Sequence, residues 1–411
     1  MIAAQSEESM AALGISGIGI VSGGGIGKDE TLYYLKKASH NFHRLRRPHR
    51  QHASSHFYGL ECDDQAIDAT VADFSSPLRT ASLSTKAAVA VLKQAWQEAQ
   101  LDQRQVDPMR IGLVIGGSNF QQGHLLLLQE RYRDKPVYLR SHYGFSYLDT
   151  DMLGVLTELF HIEGEAYVLG GASASGQLAV IHAARLVQQG CVDIGIAVGA
   201  LTDLSYWELQ GLSNMGALAV VPTNQKYESC PFDQNHCGLT YGEGSAAVII
   251  ERVDPANRHQ QSIQIAGWGI SIDGNRNPNP SSEGQARSIE DSMAMADIQA
   301  ESVDYINPHG SGSQLGDQTE LATLKQLGLH ESYINASKAY FGHCLMAAGA
   351  LEIVLTVLQM RHHFLHGTPG LNQPIDNTFR WVKDFKEKHK IRCALCLSYG
   401  FSGINTSIIL K

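Results

Sequence analysis

Gly171-Ala172-Ser173-Ala174-Ser175-Gly176 lies between an apolar run, Tyr167-Val168-Leu169, and a helical pattern over residues 178–187. Strand, tight turn and helix in that order bring a small hydroxyl side chain to a helix N-terminus. Backbone N–H groups and the helix dipole there favour negative charge developing beside Ser173. The same order of elements marks the chain as α/β.

Working outward, short apolar strands recur at residues 15–21, 111–115, 194–198 and 246–250, with a final pair at 394–398 and 408–410. Between them run longer helical patterns. Residues 84–100 carry one apolar face, built from Ala88, Val91, Leu92 and Trp96. This alternation predicts layers of helix and sheet. A polar stretch over residues 253–262 reads as a linker or hairpin at mid-chain. Beyond it, Ile263-Gln264-Ile265-Ala266-Gly267-Trp268-Gly269 echoes Ile15-Ser16-Gly17-Ile18-Gly19, which suggests two similar α/β halves.

The totals restrict the function classes. The 411 residues are 43% hydrophobic and 18% charged, an ordinary globular composition with length enough for a large core. A net charge of −9 disfavours a nucleic-acid partner. No stretch approaches the roughly 18 continuous apolar residues of a membrane helix. The polar, acidic start has no signal-peptide core, so a cytoplasmic enzyme or binding protein is expected. The cysteine count, seven, is odd and the spacing suggests no disulfide framework. Cys393-Ala394-Leu395-Cys396 sits in a β-like run and reads as buried thiols rather than a redox or metal pair. Residues 31–60 carry Lys36, Lys37, Arg44, Arg46, Arg47, Arg50 and five histidines without an acid. They read as a solvated surface loop or, functionally, as a docking patch for an acidic partner. Their spacing matches no standard metal site.

Four further segments carry chemistry. Asn307-Pro308-His309-Gly310-Ser311-Gly312-Ser313-Gln314-Leu315-Gly316-Asp317-Gln318-Thr319-Glu320 places a histidine in a Gly/Ser-rich loop after a strand-like run, where an imidazole can be exposed for catalysis. Ser337-Lys338-Ala339-Tyr340-Phe341-Gly342-His343 runs into Met346-Ala347-Ala348-Gly349 and Glu352, with glycine and small residues that permit close backbone approach. Ser398-Tyr399-Gly400-Phe401-Ser402-Gly403 makes a turn that can aim an N–H at a substrate oxygen. Pro231-Phe232-Asp233, then Tyr241-Gly242-Glu243-Gly244, enters a buried strand.

In this order and spacing the segments resemble the β-ketoacyl carrier-protein synthases, or ketosynthases, over residues 13–410. The resemblance implies a thiolase-like fold with two similar α/β halves in a five-layered αβαβα core. Residues 1–12 would be an extension, 13–252 the first half and 253–411 the second. It also assigns roles. Ser173 stands where the family has its nucleophilic cysteine. His309 and His343 fall on the two catalytic histidines, Lys338 on the catalytic-site lysine and Glu352 on its acidic partner. Ser311 and Ser313 fall on the threonines that meet the phosphopantetheine amides. Gly400 and Phe401 belong to the gating loop, with the N–H groups of Phe401 and Ser173 forming an oxyanion hole. No metal and no cofactor is implied, because the substrate arrives on the phosphopantetheine arm of an acyl carrier protein supplied in trans. A homodimer is implied as well. The chain departs from the family at Ser173, at Cys230 and His236-Cys237, and at Ser402.

Serine changes the chemistry. A cysteine with a reference pKa near 8.5 becomes thiolate easily at a helix N-terminus. Serine needs a base held by a third group, and no carboxylate–histidine pair is reserved for Ser173. Decarboxylation needs no protein nucleophile, only donors on the thioester oxygen. The expected activity is therefore malonyl-carrier decarboxylation to acetyl-carrier in polyketide β-branching, similar to the ketosynthase-like decarboxylases with serine for cysteine. The alternatives are a non-catalytic partner subunit resembling a chain-length factor, and a serine acyltransferase or thioesterase on the same fold.

Overall fold

The computed structural model describes residues 12–37, 41–53, 56–219, 229–253 and 263–411. Strand β1, Leu13–Ser22, is buried along nearly its whole length. It therefore reads as a continuous apolar run rather than an alternating one. Its glycines serve the layer above: a methyl group on Gly19 would lie 1.9 Å from the Val91 carbonyl oxygen. Helix α1, Leu83–Glu98, can rest on the β1 backbone only because that methyl is missing.

The main sheet continues with β2 (Ile111–Gly116), β3 (Ala166–Leu169), β4 (Ile194–Gly199) and β5 (Gly244–Arg252). The later strands are β6 (Gln264–Ile272), β7 (Tyr305–Asn307), β8 (Tyr333–Ile334), β9 (Arg380–Trp381), β10 (Ala394–Gly400) and β11 (Ile404–Leu410). Their spatial order is β9-β8-β7-β10-β11-β6-β1-β5-β4-β2-β3. It is mirrored about the antiparallel contact of β6 with β1, where Leu13 faces Ile265. Outward from β1 the neighbours are two antiparallel, then two parallel. Outward from β6 the same sequence recurs. The two echoing glycine-rich segments are thus the two central strands. The linker expected at residues 253–262 falls, from 254 on, outside the described residues.

Five layers follow from the helix contacts. Helix α1 covers β1 and β5, while α3 (Ser282–Met295) covers β6 and β11. Between the sheet halves lie α2 (Ser175–Gln188) and α5 (Ala348–His362), packed on each other. Helix α5 is buried on every side from Ala348 to Met360, as a helix between two sheets must be. Helix α4, Gln314–Gln326, packs beside α3. The fold is thiolase-like. No helix among the described residues is long and apolar enough to cross a membrane.

Part of the basic segment is buried in an ion cluster rather than solvated. Arg50 is fully buried and pairs with Glu61 at 3.1 Å and with Asp203 at 2.8 Å, and Glu243 completes the cluster. Arg47 reaches Glu243 at 2.9 Å and Asp64 at 2.6 Å, and His49 meets Asp203 at 2.9 Å. The compensating acids come mainly from distant sequence, so the segment's own lack of acid hid its role. Among the segment's described residues Lys36, Lys37, Arg44, Arg46, His52 and His56 remain exposed. Cys393 and Cys396 are free, buried thiols as expected, pushed up by burial to about 11 and about 12.

Removing one member of a fully buried ion cluster leaves the others unpaired. Arg50→Met should therefore cost about 3–5 kcal/mol of stability, read as a lower urea midpoint with an unchanged slope.

Candidate active site

Helices α2 and α5 begin side by side, each entered through a short turn, Ala172–Ala174 and Leu345–Ala347. Glycine makes the approach possible. A methyl on Gly176 would stand 2.8 Å from the Ala350 nitrogen, and one on Gly349 2.7 Å from the Gln177 Cβ. The first turn is tight: Ala172 takes a left-handed φ of 49°. The Ser175 hydroxyl locks it by accepting the Gly171 N–H at 2.8 Å and donating to the Ala172 carbonyl at 2.7 Å. Ser173 sits half-buried on this turn. Its carbonyl accepts from the Ser398 hydroxyl at 3.2 Å.

His343 is held on both sides. Its backbone N–H donates to the Thr240 carbonyl at 2.6 Å, and its carbonyl accepts from Gly242 at 3.1 Å. The Leu345 N–H donates to the ring Nδ1 at 3.1 Å. That bond assigns the ring proton to Nε2, so Nε2 is a donor. The His309 ring lies 5.3 Å away, centroid to centroid, nearly edge to face. Among the described residues its Nδ1, which is buried, has no hydrogen-bond partner.

The His309 loop is clamped from α4. Glu320 accepts the N–H groups of His309 and Gly310 at 2.7 and 2.8 Å. Asp317, one helical turn earlier, accepts Gly312 N–H at 3.1 Å, Phe232 N–H at 2.7 Å and the His236 Nδ1 donor at 2.9 Å. Lys338 is buried, ion-paired with Glu352, and donates to the His309 carbonyl. Ser337 adds a hydroxyl to Glu352 at 3.1 Å.

These surroundings fix the charge state. Burial first, then the Lys338 ammonium and His343, pushes His309 well below the ordinary imidazole range. Burial and Lys338 do the same to His343. Both rings are therefore neutral at physiological pH. Burial also pushes Glu320 up to about 8, against the opposing effect of its two N–H donors.

The remaining expected residues line the same place. Gly400 touches the Ser173 turn, where a methyl would lie 2.4 Å from the Gly171 carbonyl oxygen. Phe401 is half-buried at the β10–β11 hairpin, and Ser402 beside it takes a φ of 68°, a glycine-like conformation. Ser311 accepts the Ser313 N–H at 3.3 Å, and Ser313 caps α4 by accepting Gly316 N–H at 3.4 Å. As acceptors, both hydroxyls keep their hydrogens for a ligand. Among the described residues neither imidazole hydrogen-bonds the Ser173 hydroxyl, and no group of three His, Cys, Asp or Glu side chains could hold a metal. Asp317 and Glu320 close the histidine segment and His236 marks a departure from the family, but none of the three takes a role from the sequence alone. The signal available was the Asp317/Glu320 spacing, which puts both carboxylates on one face of a helix that starts just after the histidine loop.

Residues 10–256 match the family described as β-ketoacyl synthase, N-terminal domain, and residues 263–372 the corresponding C-terminal domain. The chain is 42% identical over 408 residues to the polyketide biosynthesis malonyl-ACP decarboxylase PksF of Bacillus subtilis (strain 168), covering 97% of this chain and 95% of that protein. Among solved structures, the ishigamide ketosynthase/chain length factor superposes with a TM-score of 0.86 at 21% identity, covering 98% and 99% of the two chains. A type II polyketide synthase ketosynthase structure that includes its acyl-carrier protein superposes at 0.81 and 21% identity, covering 98% and 100%.

The buried neutral imidazoles make stability depend on pH. Below about 6.5 the unfolded histidines bind protons and the folded ones do not, so stability is lost as pH falls. Glu320, raised to about 8 in the fold, acts in the opposite sense, so the histidine effect is read as the fall of the urea midpoint from about pH 6.5 to 5 in wild type against a histidine variant. The fall should be shallower in His343→Gln.

Proposed function

The chain belongs to the β-ketoacyl synthase family, and on that premise we propose that it decarboxylates malonyl-carrier protein to acetyl-carrier protein without forming a carbon–carbon bond. The observation that carries the reading is the protonation pattern. Two neutral imidazoles face each other, His343 Nε2 is a donor, and no base is held on Ser173. A hydroxyl without a base is a poor nucleophile. A pair of N–H donors is a competent oxyanion site.

The steps follow from that geometry. The phosphopantetheine arm runs past Ser311 and Ser313 under Phe401. The malonyl thioester oxygen accepts from His309 and His343. The bond between the carboxylate carbon and C2 breaks, CO2 leaves, and the electron pair is delocalised onto the thioester oxygen as an enolate. The two N–H groups stabilise that charge without having to reorient. With no acyl group on Ser173 to attack, C2 takes a proton and becomes acetyl. Lys338, bound to Glu352 and the His309 carbonyl, holds both histidines neutral and in place.

The 42% identity to a malonyl-ACP decarboxylase of polyketide biosynthesis supports the substrate, and the solved ketosynthase that includes its carrier protein supports the partner. We further propose that the acetyl-carrier feeds β-branching and that enzyme and carrier meet in the cytoplasm. A homodimer is the assembly we favour. Strand β3 ends the sheet with an open edge, and Val137, Tyr138, Phe145, Tyr147 and Leu148 stand exposed on the chain leading to it.

Malonyl-loaded carrier protein incubated with the enzyme should lose CO2 cleanly in the mass spectrum. His309→Ala should lower kcat by about 10²–10³-fold, whereas Ser173→Ala should retain activity within a few-fold. An unchanged malonyl-carrier would point to a partner subunit, and an acyl adduct on Ser173 to an acyltransferase.

A further inference from the structure

Met346 follows Leu345 in the turn that enters α5, and that turn packs against the Ser173 turn. Its backbone N–H donates to the Thr202 hydroxyl at 3.3 Å. Its sulfur accepts the Ser118 N–H at 3.1 Å. Ser118 in turn abuts the strand end that leads into the elbow, since a methyl on Gly170 would stand 2.9 Å from its hydroxyl oxygen. The Met346 side chain packs on the apolar cluster that contains Phe120, Val198 and Leu201, yet remains only half-buried. It therefore bridges the floor of the Ser173 turn to the ends of β2 and β4. The groups assigned to the phosphopantetheine arm, Ser311, Ser313 and Phe401, belong to other loops, after β7 and between β10 and β11.

An acyl group reaching Ser173 from the arm's side must extend away from it. Met346, pinned at its sulfur, stands in the turn packed against the Ser173 turn, on the side of β2 and β4. Methionine fills irregular gaps well, and a hydrogen-bonded thioether has fewer rotamers in which to swing aside. We propose that Met346 is a specificity-determining residue that closes the acyl side of the site and confines it to two- and three-carbon acyl units. The inference rests on the decarboxylase reading for its biological sense, because such a site takes malonyl and releases acetyl. It adds a barrier to condensation that is separate from the serine. Restoring a nucleophile at 173 would still leave no room for a growing chain.

Covalent loading tests this without any decarboxylation, so its failure and that of the decarboxylase reading are distinguishable. Ser173→Cys, offered acetyl- or octanoyl-pantetheine thioester, is followed by intact-protein mass. The expected result is an acetyl adduct, with octanoylation at least about tenfold slower. Adding Met346→Ala should raise octanoylation at least about tenfold, while adding the volume-conserving Met346→Leu should leave it slow. Melting curves on each variant establish that it is folded. Octanoylation of Ser173→Cys at the acetyl rate, or a folded Ser173→Cys/Met346→Ala protein that still excludes octanoyl, would overturn the proposal.

Discussion

The site exists because two helices start in backbone contact between two sheet halves. Gly176 and Gly349 leave no room for a methyl group on either side of that contact. With it, the Ser173 turn and the His343 turn share one floor, and Gly400 can close over the Gly171 carbonyl. A side chain at either glycine would spread the helices. A shift of about 1 Å in a positioned donor is enough to cost a large factor in rate. The sheets contribute by anchoring the far ends: the Gly242 N–H to the His343 carbonyl, and Asn307 at the end of β7 just before His309.

Around that contact the charges are placed so that the histidines stay neutral. Lys338 is a cation that acts on both rings, and it is held by Glu352 and a backbone carbonyl. The acids of α4 act on the backbone of the histidine loop, not on the rings. No carboxylate therefore raises the basicity of either imidazole, in contrast to the arrangement that turns a serine into a nucleophile. A thiol in the same turn could ionise with help from the helix end alone. On the proposed reading, exchanging sulfur for oxygen at one atom removes the acyl-transfer half of the chemistry and leaves the enolate half intact.

Much of this was legible in the chain. The alternation of apolar strands and amphipathic helices gave the layers. The two glycine-rich segments that echo one another are the paired central strands. The elbow, both histidines and the Lys338–Glu352 pair lie where their motifs placed them. What escaped depends on partners far away in sequence. Arg47 and Arg50 looked like surface charge because Asp203 and Glu243, which bury them, belong to other segments. Glu320 looked like an ordinary helix acid until its two backbone donors were in view. Met346 was read among small residues that allow close approach, and only its contacts with Ser118 and Thr202 show that it fills space instead.

The central position of β1 also shapes how the molecule is made. It is synthesised well before its partners: both of its long neighbours, β5 and β6, lie more than 200 residues downstream. Its apolar faces and unpaired edges must wait while most of the protein is synthesised. Late, long-range pairing of this kind is slow and exposes aggregation-prone surface. The strand at the middle of the finished sheet is thus one whose apolar surface needs shelter until its distant partners are made.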